Sequence, residues 1–580
     1  MADPALSGTA DGEMDPADIE FPHANIVAVE ALATVLETAF GPRSHDKLVA
    51  EKHEAHETPD RMPEEVEFVV TSDGATILEG VDIEHPMGPI IQRVVGPERP
   101  GDTDVEGQDI HDGVCGTVLL TTALLTEAKE LLDRGLHPRT VTAGYDTARR
   151  LALSELGDAR RPLEAVGYPR ETAEDVAVTA MTGNDIGQRT RGWARVAVDA
   201  VETVGAPTEE SFVVRQFAEG TIDDSRLVRG AVLDRNDLVS DEMPSRIEDA
   251  DVLLLDGQDD GGLRKHDVPE GYQIVHEDGE SKRRFADARQ ARRDDLVERL
   301  TAAGVDVVVA RQGIESDYYR MLADAGIAGV QAVSKLDLRQ IARATGAEPT
   351  LVTDQFESAT LGRAGVVETR TVEPAARGRP AREIVVFDDC PAPESVAVEL
   401  HGVWNNVADQ ATRAVRKAAA AVSDAKGLGD APAGVVPGAG ATETRLARAL
   451  RTAATSVGGR EQFAVDAYAD AIDRVTGVLV RNGGHDRIRV LSDLRAAHDA
   501  GEEATGFLHP AGELGDATAA GVLDTYAGHR RRYVVATQVA NLLLGIDDTV
   551  DATFSNDPAG PDEVINPEAA EKQMDALDDQ

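Results

Sequence analysis

The apolar positions of this chain fall into three regimes. Over residues 25–39, NIVAVEALATVLETA, the residues Ile26, Val29, Ala33 and Leu36 recur at helical spacing, and Gly41 with Pro42 ends the pattern. Residues 66–78, VEFVVTSDGATIL, read as strand, Asp-Gly turn, strand, which is a hairpin signal. After an acidic loop rich in Pro and Gly at 96–112, the segment GTVLLTTALLTEAKELLDRG predicts a buried helix closing on Gly135. His137 and Pro138 follow the stop, and TVTAGYDTARRLALSEL predicts a third helix. Residues 1 to about 157 thus read as helical with one small hairpin.

In the middle the pattern changes to short apolar, β-rich runs at 251–256, 305–310, 328–333 and 383–388. Helical patterns separate several of them, which predicts a mixed domain with buried strands. A long polar insert, 257–293, lies between the first two runs, and its second half is helix-like. From about residue 400 the chain reads as nearly all helix, with RNGGHD and LHPAGELGD as loops. An acidic tail of disordered composition ends it. The order helical, mixed, helical suggests one domain interrupted by an insertion.

Composition narrows the setting. With 580 residues and 42% hydrophobic content the chain can build several cores, about three to four domains. The formal net charge of −47 is spread along every segment and excludes the basic surface that nucleic acid requires. Such a surface fits a high-salt cytosol, where screening relieves self-repulsion. No run reaches the ~18 unbroken apolar residues of a membrane span. The acidic N-terminal segment lacks the pattern of a signal peptide, so a cytoplasmic location is expected. Cys115 and Cys390 lie far apart and form no CxxC, so neither a structural disulfide nor a zinc site is expected.

Three carboxylates stand in suggestive settings: Asp73 in SDGAT, Asp112 in HDGVCG and Asp409 in NNVADQATRAV. Two glycine loops accompany them, FGPRS at 40–44 and VVPGAGATE at 435–443. ATP hydrolysis needs backbone N–H groups close to phosphates, a carboxylate on Mg²⁺, and further acids to orient or deprotonate water. Each piece also has a plainer reading. An Asp-Gly is commonly a turn, an Asp near a helix start is a cap or solvated, and Gly-Pro is a helix stop. GAGA differs from the GxxxxGK[ST] fingerprint, and His85 has no second His at ligand spacing. From the residues alone, nucleotide hydrolysis stays open.

The order of segments adds to this reading. FGPRSHDKLV, TSDGATILEGVDIEHP, DGVCGTVLLTTALLTEAKELLDRGLHPRTVTAGYDTA, IARATGAEP, VVPGAGATETRLA, RNGGHDRI and GVLDTY…NLLLGIDDTV run in a co-linear series. In these stretches the chain resembles a subunit of the group II chaperonins, the archaeal thermosome and its eukaryotic cytosolic relatives, over about residues 25–552. The resemblance implies an α+β multidomain fold. A mostly helical equatorial ATP-binding domain would comprise 25–157 and 405–552, and a hinge-like intermediate domain 158–227 and 374–404. An α/β apical domain would span 228–373, with a lid-forming protrusion near 257–293. Residues 1–24 and 553–580 would be tails.

Carried over residue by residue, the resemblance makes Asp112 the Mg²⁺ ligand and Asp73 and Asp409 the acids acting on water. Gly41 and Pro42 become the first phosphate loop, Gly74, Gly113 and Thr117 its neighbours, and Gly438 and Gly440 part of a second nucleotide loop. Several positions depart from the family pattern. Val114, Cys115 and Gly116 stand where hydroxyls are expected, and His111 and Ala439 where glycines are. Asn184 replaces a lysine, and Ala519 an acid near the ribose. Losing contacts of this kind costs about 1–3 kcal/mol each. The implied function is an ATP-dependent chaperonin ring with a built-in lid, working with Mg²⁺ on unfolded clients. Its ring partners would be identical or paralogous subunits in a double ring, with neither nucleic acid nor membrane involved. The alternative is a hydrolysis-impaired structural or regulatory subunit of a hetero-oligomeric ring.

Overall fold

The computed structural model describes residues 20–52, 66–81, 90–92, 113–183, 190–234, 243–257, 263, 279–350, 356, 360–373, 381–402 and 406–546. The first described segments are helix α1 (Glu20–Glu37), strands β1 (Lys47–Lys52) and β2 (Val66–Thr71), and helices α2 (Gly74–Gly80), α3 (Val114–Asp133) and α4 (Pro138–Ala159). The uninterrupted apolar periods at 25–39 and 116–135 become α1 and α3, as their spacing predicts. The hairpin expected at 66–78 does not form. Its first half is β2, which pairs antiparallel with the upstream β1, Lys47 opposite Thr71. Its second half is α2, because Asp73 caps it: Oδ2 accepts hydrogen bonds from the Thr76 backbone N–H at 3.1 Å and the Thr76 hydroxyl at 2.9 Å.

The middle of the chain supplies α5 (Leu163–Val166), α6 (Pro169–Met181), α7 (Thr190–Val204), β3 (Phe212–Gln216), β4 (Arg226–Val228), β5 (Ala231–Asp234) and β6 (Arg246–Leu255). There follow α8 (Gly279–Ala302), β7 (Val307–Ala310), α9 (Ser316–Asp324), β8 (Ala328–Val330), α10 (Lys335–Thr345), β9 (Gly362–Val372), β10 (Arg382–Asp388) and β11 (Val396–Leu400). A six-stranded sheet runs in the order β5-β10-β9-β6-β7-β8, parallel between β6, β7 and β8 and antiparallel elsewhere. Its faces are covered separately. Val252, Leu254, Val307 and Val309 pack with Leu338 and Ile341 of α10. Leu253, Leu255 and Val308 pack with Leu296 and Leu300 of α8 and Tyr318 of α9. Both faces are buried, so the strands read as continuous apolar runs. Of the insert at 257–293, the second half is the start of α8, while 258–262 and 264–278 lie outside the described residues.

The last part comprises α11 (Asn406–Lys426), β12 (Val435–Pro437), α12 (Ala441–Ala454), α13 (Glu461–Asn482), α14 (Arg487–Asp499), β13 (Thr505–Leu508), β14 (Glu513–Asp516), β15 (Leu523–Thr525) and α15 (Tyr526–Leu544). LHPAGELGD is not a plain loop, since it joins β13 and β14 into an antiparallel hairpin. Helices α1, α3, α4, α12, α13 and α15 share one apolar core, so the two chain ends fold together. Its centre includes Tyr145 and Tyr468 in an edge-to-face pair at 5.6 Å. Helix α11 does not join that core. Its buried alanines and valines pack with α6, α7, β3 and β11.

Candidate functional site

A cavity of about 380 Å³ opens where the terminal helical core meets α6 and α11, a volume in the range of small-molecule sites. Its walls come from segments distant in sequence: Gly41 and Pro42, Asp73 and Gly74, Gly113 to Gly116, Thr179, Ala180, Thr182 and Gly183, and Lys417. Ala439, Gly440, Thr476, Phe507, Asp524 and Arg532 complete them. Of the residues expected from the sequence, it brings together Gly41, Pro42, Asp73, Gly74, Gly113 and Gly440. Thr117 is buried and stays within its helix, its hydroxyl donating to the Gly113 carbonyl at 3.0 Å. Gly438 lies behind the wall, where a Cβ would stand 3.2 Å from Asp524 Oδ2. Asp112, His111, Asn184 and His85 lie outside the described residues.

Asp73 is buried at the mouth of α2. Beyond the two bonds from Thr76, its Oδ1 accepts a short charge-assisted hydrogen bond from Lys417 Nζ. Burial works to raise the carboxyl pKa, but the lysine charge and the hydrogen bonds outweigh it and hold Asp73 below its ordinary range. Lys417 comes from α11, the helix that carries Asp409 at its start.

Asp409 itself is exposed, does not line the cavity, and accepts a hydrogen bond from Gln216 Nε2 at 3.1 Å. The expected partnership of Asp73 and Asp409 is therefore absent from this geometry. The cause is their separation along α11. Eight residues separate Asp409 from Lys417, about 12 Å along the axis and about 80° around it, and α11 turns position 417 to the cavity.

The first turn of α3 forms the adjoining wall. Gly113 caps it at φ 89°, in the left-handed region that suits glycine, and no side chain caps the first-turn N–H groups. Val114 belongs to the apolar core, and Cys115 packs so closely on Gly74 that a Cβ there would collide with its Sγ. Gly116 makes room for Arg532 of α15. A Cβ at 116 would stand 2.9 Å from Arg532 Nε and 3.1 Å from Cζ. Arg532 Nη1 donates to Glu443 Oε1 at 2.8 Å, with both side chains at most 15% exposed. The missing hydroxyl at 116 and the guanidinium at 532 are thus one steric fact.

Ala439 lines the cavity at φ 55°, and its carbonyl accepts from the Phe507 N–H at 2.9 Å. On the far side Asp524 lies 3.1 Å from His529 Nε2. Loss of solvent would raise its pKa, but the contacts to His529 and the Arg532 charge leave it below the ordinary value. Ala519, the position aligned with a ribose acid, is not in the wall, and Asp524 is. Among the described residues no three His, Cys, Asp or Glu side chains converge as a metal site.

Lys417, Arg532 and Asp524 escaped sequence reasoning. Lys417 carried a signal: it is one of nine lysines in the chain, set before four alanines on a helix whose neighbouring face is apolar. Arg532 and Gly116 carried none, because their contact exists only in the folded chain.

Comparison with known proteins bears on this architecture. The sequence profile of the TCP-1/cpn60 chaperonin family matches residues 32–553. The chain is 32% identical to thermosome subunit alpha of Halobacterium salinarum, over 91% of this chain and 88% of that protein. It is 33% identical to thermosome subunit 3 of Haloferax volcanii, covering 91% and 95%. For a thermosome subunit of Methanocaldococcus jannaschii the identity is 31%, covering 91% and 92%.

Proposed function

The chain belongs to the TCP-1/cpn60 chaperonin family, and from that premise we propose that it serves as one subunit of an ATP-dependent group II chaperonin ring that encloses unfolded proteins and assists their folding. The observation that carries the nucleotide reading is the cavity. Both chain ends build it, glycines line it, and the first turn of α3, which no side chain caps, is part of its wall.

In this reading the core shared by the two chain ends is the nucleotide domain. The six-stranded sheet with α8, α9 and α10 belongs to the client-binding domain, whose expected span of 228–373 then extends to residue 388 to take in β10, and the segment near 257–293 acts as its lid. The set of α6, α7, β3, β11 and α11 is the hinge. The packing of α11 supports moving the boundary of that hinge from residue 404 to about 430.

The nucleotide is ATP with Mg²⁺. Such an ion takes one or two carboxylates and completes its shell with phosphate oxygens and water. Asp112 would be its ligand. Mg²⁺ would neutralise phosphate charge. The chain's own groups would offer amides from the α3 turn and the Gly440 loop, the Arg532 guanidinium, and Asp73 as the acid acting on water. Asp524, beyond the glycine loop, would receive the ribose. Loop and hinge movements coupled to nucleotide would pass to the apical domain through α11, which joins the cavity wall to the hinge core.

The net charge of −47 supports a saline cytoplasm and argues against nucleic-acid partners. Among the described residues no helix is long and apolar enough to cross a membrane. Identical or paralogous subunits would complete a double ring. The test is refolding of a chemically denatured client in molar KCl by the assembled protein. MgATP-dependent recovery above the spontaneous yield is expected, and recovery indifferent to MgATP would contradict the reading.

A further inference from the structure

We infer that Lys417 is a built-in brake on hydrolysis: by neutralising Asp73 inside the cavity, it makes this subunit hold MgATP for long periods rather than turn it over quickly. The inference rests on the nucleotide reading above and concerns the rate at that same site.

Every described carboxylate lining the cavity is engaged. Lys417 and Thr76 hold Asp73, Arg532 holds Glu443, and His529 lies against Asp524. The acid expected to share the work, Asp409, is on α11 but faces Gln216 outside the cavity. Helix α11 therefore brings a positive charge to the place where the sequence led one to expect a negative one.

In hydrolysis the water oxygen bonds to the γ-phosphorus. The bond from that phosphorus to the β,γ-bridging oxygen breaks, and its electron pair leaves on ADP. A proton of the water must pass to a base, and in the nucleotide reading above that base is Asp73, which lines the cavity. A carboxylate locked to an ammonium group is a weak base and has an oxygen withdrawn from the water. General-base assistance contributes about 10²–10⁴-fold to rate, so the pairing removes a substantial part of it. The backbone amides and Arg532, which would hold the phosphates, are untouched by this pairing. Binding and turnover are thereby separated. Lys417 is a positioning residue that acts through Asp73.

The test uses the full-length assembled protein in molar KCl, with Lys417→Met and Lys417→Arg, and Lys417→Gln as a second uncharged variant should Met disturb folding. MgATP affinity is measured by calorimetry and kcat and KM by phosphate release. The inference expects wild type to bind MgATP and turn it over slowly. Lys417→Met or Lys417→Gln should raise kcat by about tenfold or more, within the range of general-base assistance, with little change in affinity. Lys417→Arg should stay at the wild-type rate. A kcat that is unchanged or falls in both uncharged variants, with MgATP still bound, overturns the brake. Wild type that binds no MgATP overturns the nucleotide reading itself, and the brake with it.

Discussion

Gly116→Ala probes the steric coupling between α3 and α15. The new Cβ would stand 2.9, 3.1 and 3.3 Å from Nε, Cζ and Nη2 of Arg532, against an ordinary contact near 3.5–4.0 Å. The guanidinium would have to retreat by several tenths of an ångström. It is not a free surface arm, since its Nη1 is fixed on Glu443 at 2.8 Å and the pair is at most 15% exposed. Weakening one such charge-assisted bond costs about 1.5–3 kcal/mol, and crowding alone about 1–3 kcal/mol. A loss of about 2 kcal/mol in local stability is expected.

The assay is hydrogen exchange resolved to α3 and α15, in molar KCl, for wild type, Gly116→Ala, Arg532→Ala and the double variant. Removing the guanidinium removes the clash. The double variant should therefore cost less than the sum of the single variants by about 1 kcal/mol or more. Strict additivity, or a Gly116→Ala variant as protected as wild type, would refute the steric coupling.

Three further outcomes follow from the same geometry. Ala439→Gly removes a non-glycine residue from φ 55° and should stabilise the loop between β12 and α12 by about 1 kcal/mol, seen as slower exchange of the Phe507 amide; faster exchange would contradict it. Melting temperature should rise as KCl goes from tenths of molar to molar, because screening relieves a net charge of −47; a steady fall would refute the saline reading. The Asp73 pKa is depressed below 3.8 in the folded chain. Its contribution to stability is therefore full above that value and lost as pH falls through the native pKa. The stability gap between wild type and Lys417→Met should shrink below pH 3.8, and a gap that stays constant or widens there would contradict the ion pair.

How far the sequence foretold this molecule depends on where the deciding forces act. Helices α1, α3 and α4 were legible because Ile26, Val29, Leu36 and their counterparts keep one unbroken helical period into a shared core. The buried strands β6 and β7 were legible as apolar runs covered on both faces. Helix α2 was not, since Asp-Gly followed by ATIL has the signature of a turn and strand. What decides it is the carboxylate of Asp73 closing on Thr76.

Within the site, the glycine loops and Asp73 could be placed by motif. The assignment of Asp409 depended on the position along α11 of a cavity that the other chain segments build. Motif matching finds an acid near a helix start and cannot see which turn faces inward. The same limit hid Lys417, eight residues on, and Arg532, whose meaning lies in the absent side chain of Gly116.

The central claim is that the cavity joining the two chain ends holds MgATP. Calorimetric titration of the assembled protein with MgATP in molar KCl tests it most directly, alongside Ala520→Trp, which puts a large ring at an exposed lining position. One MgATP per chain is expected in wild type, with loss of that binding and retained ring assembly in Ala520→Trp. Full-strength binding in Ala520→Trp, or none in wild type, would contradict it.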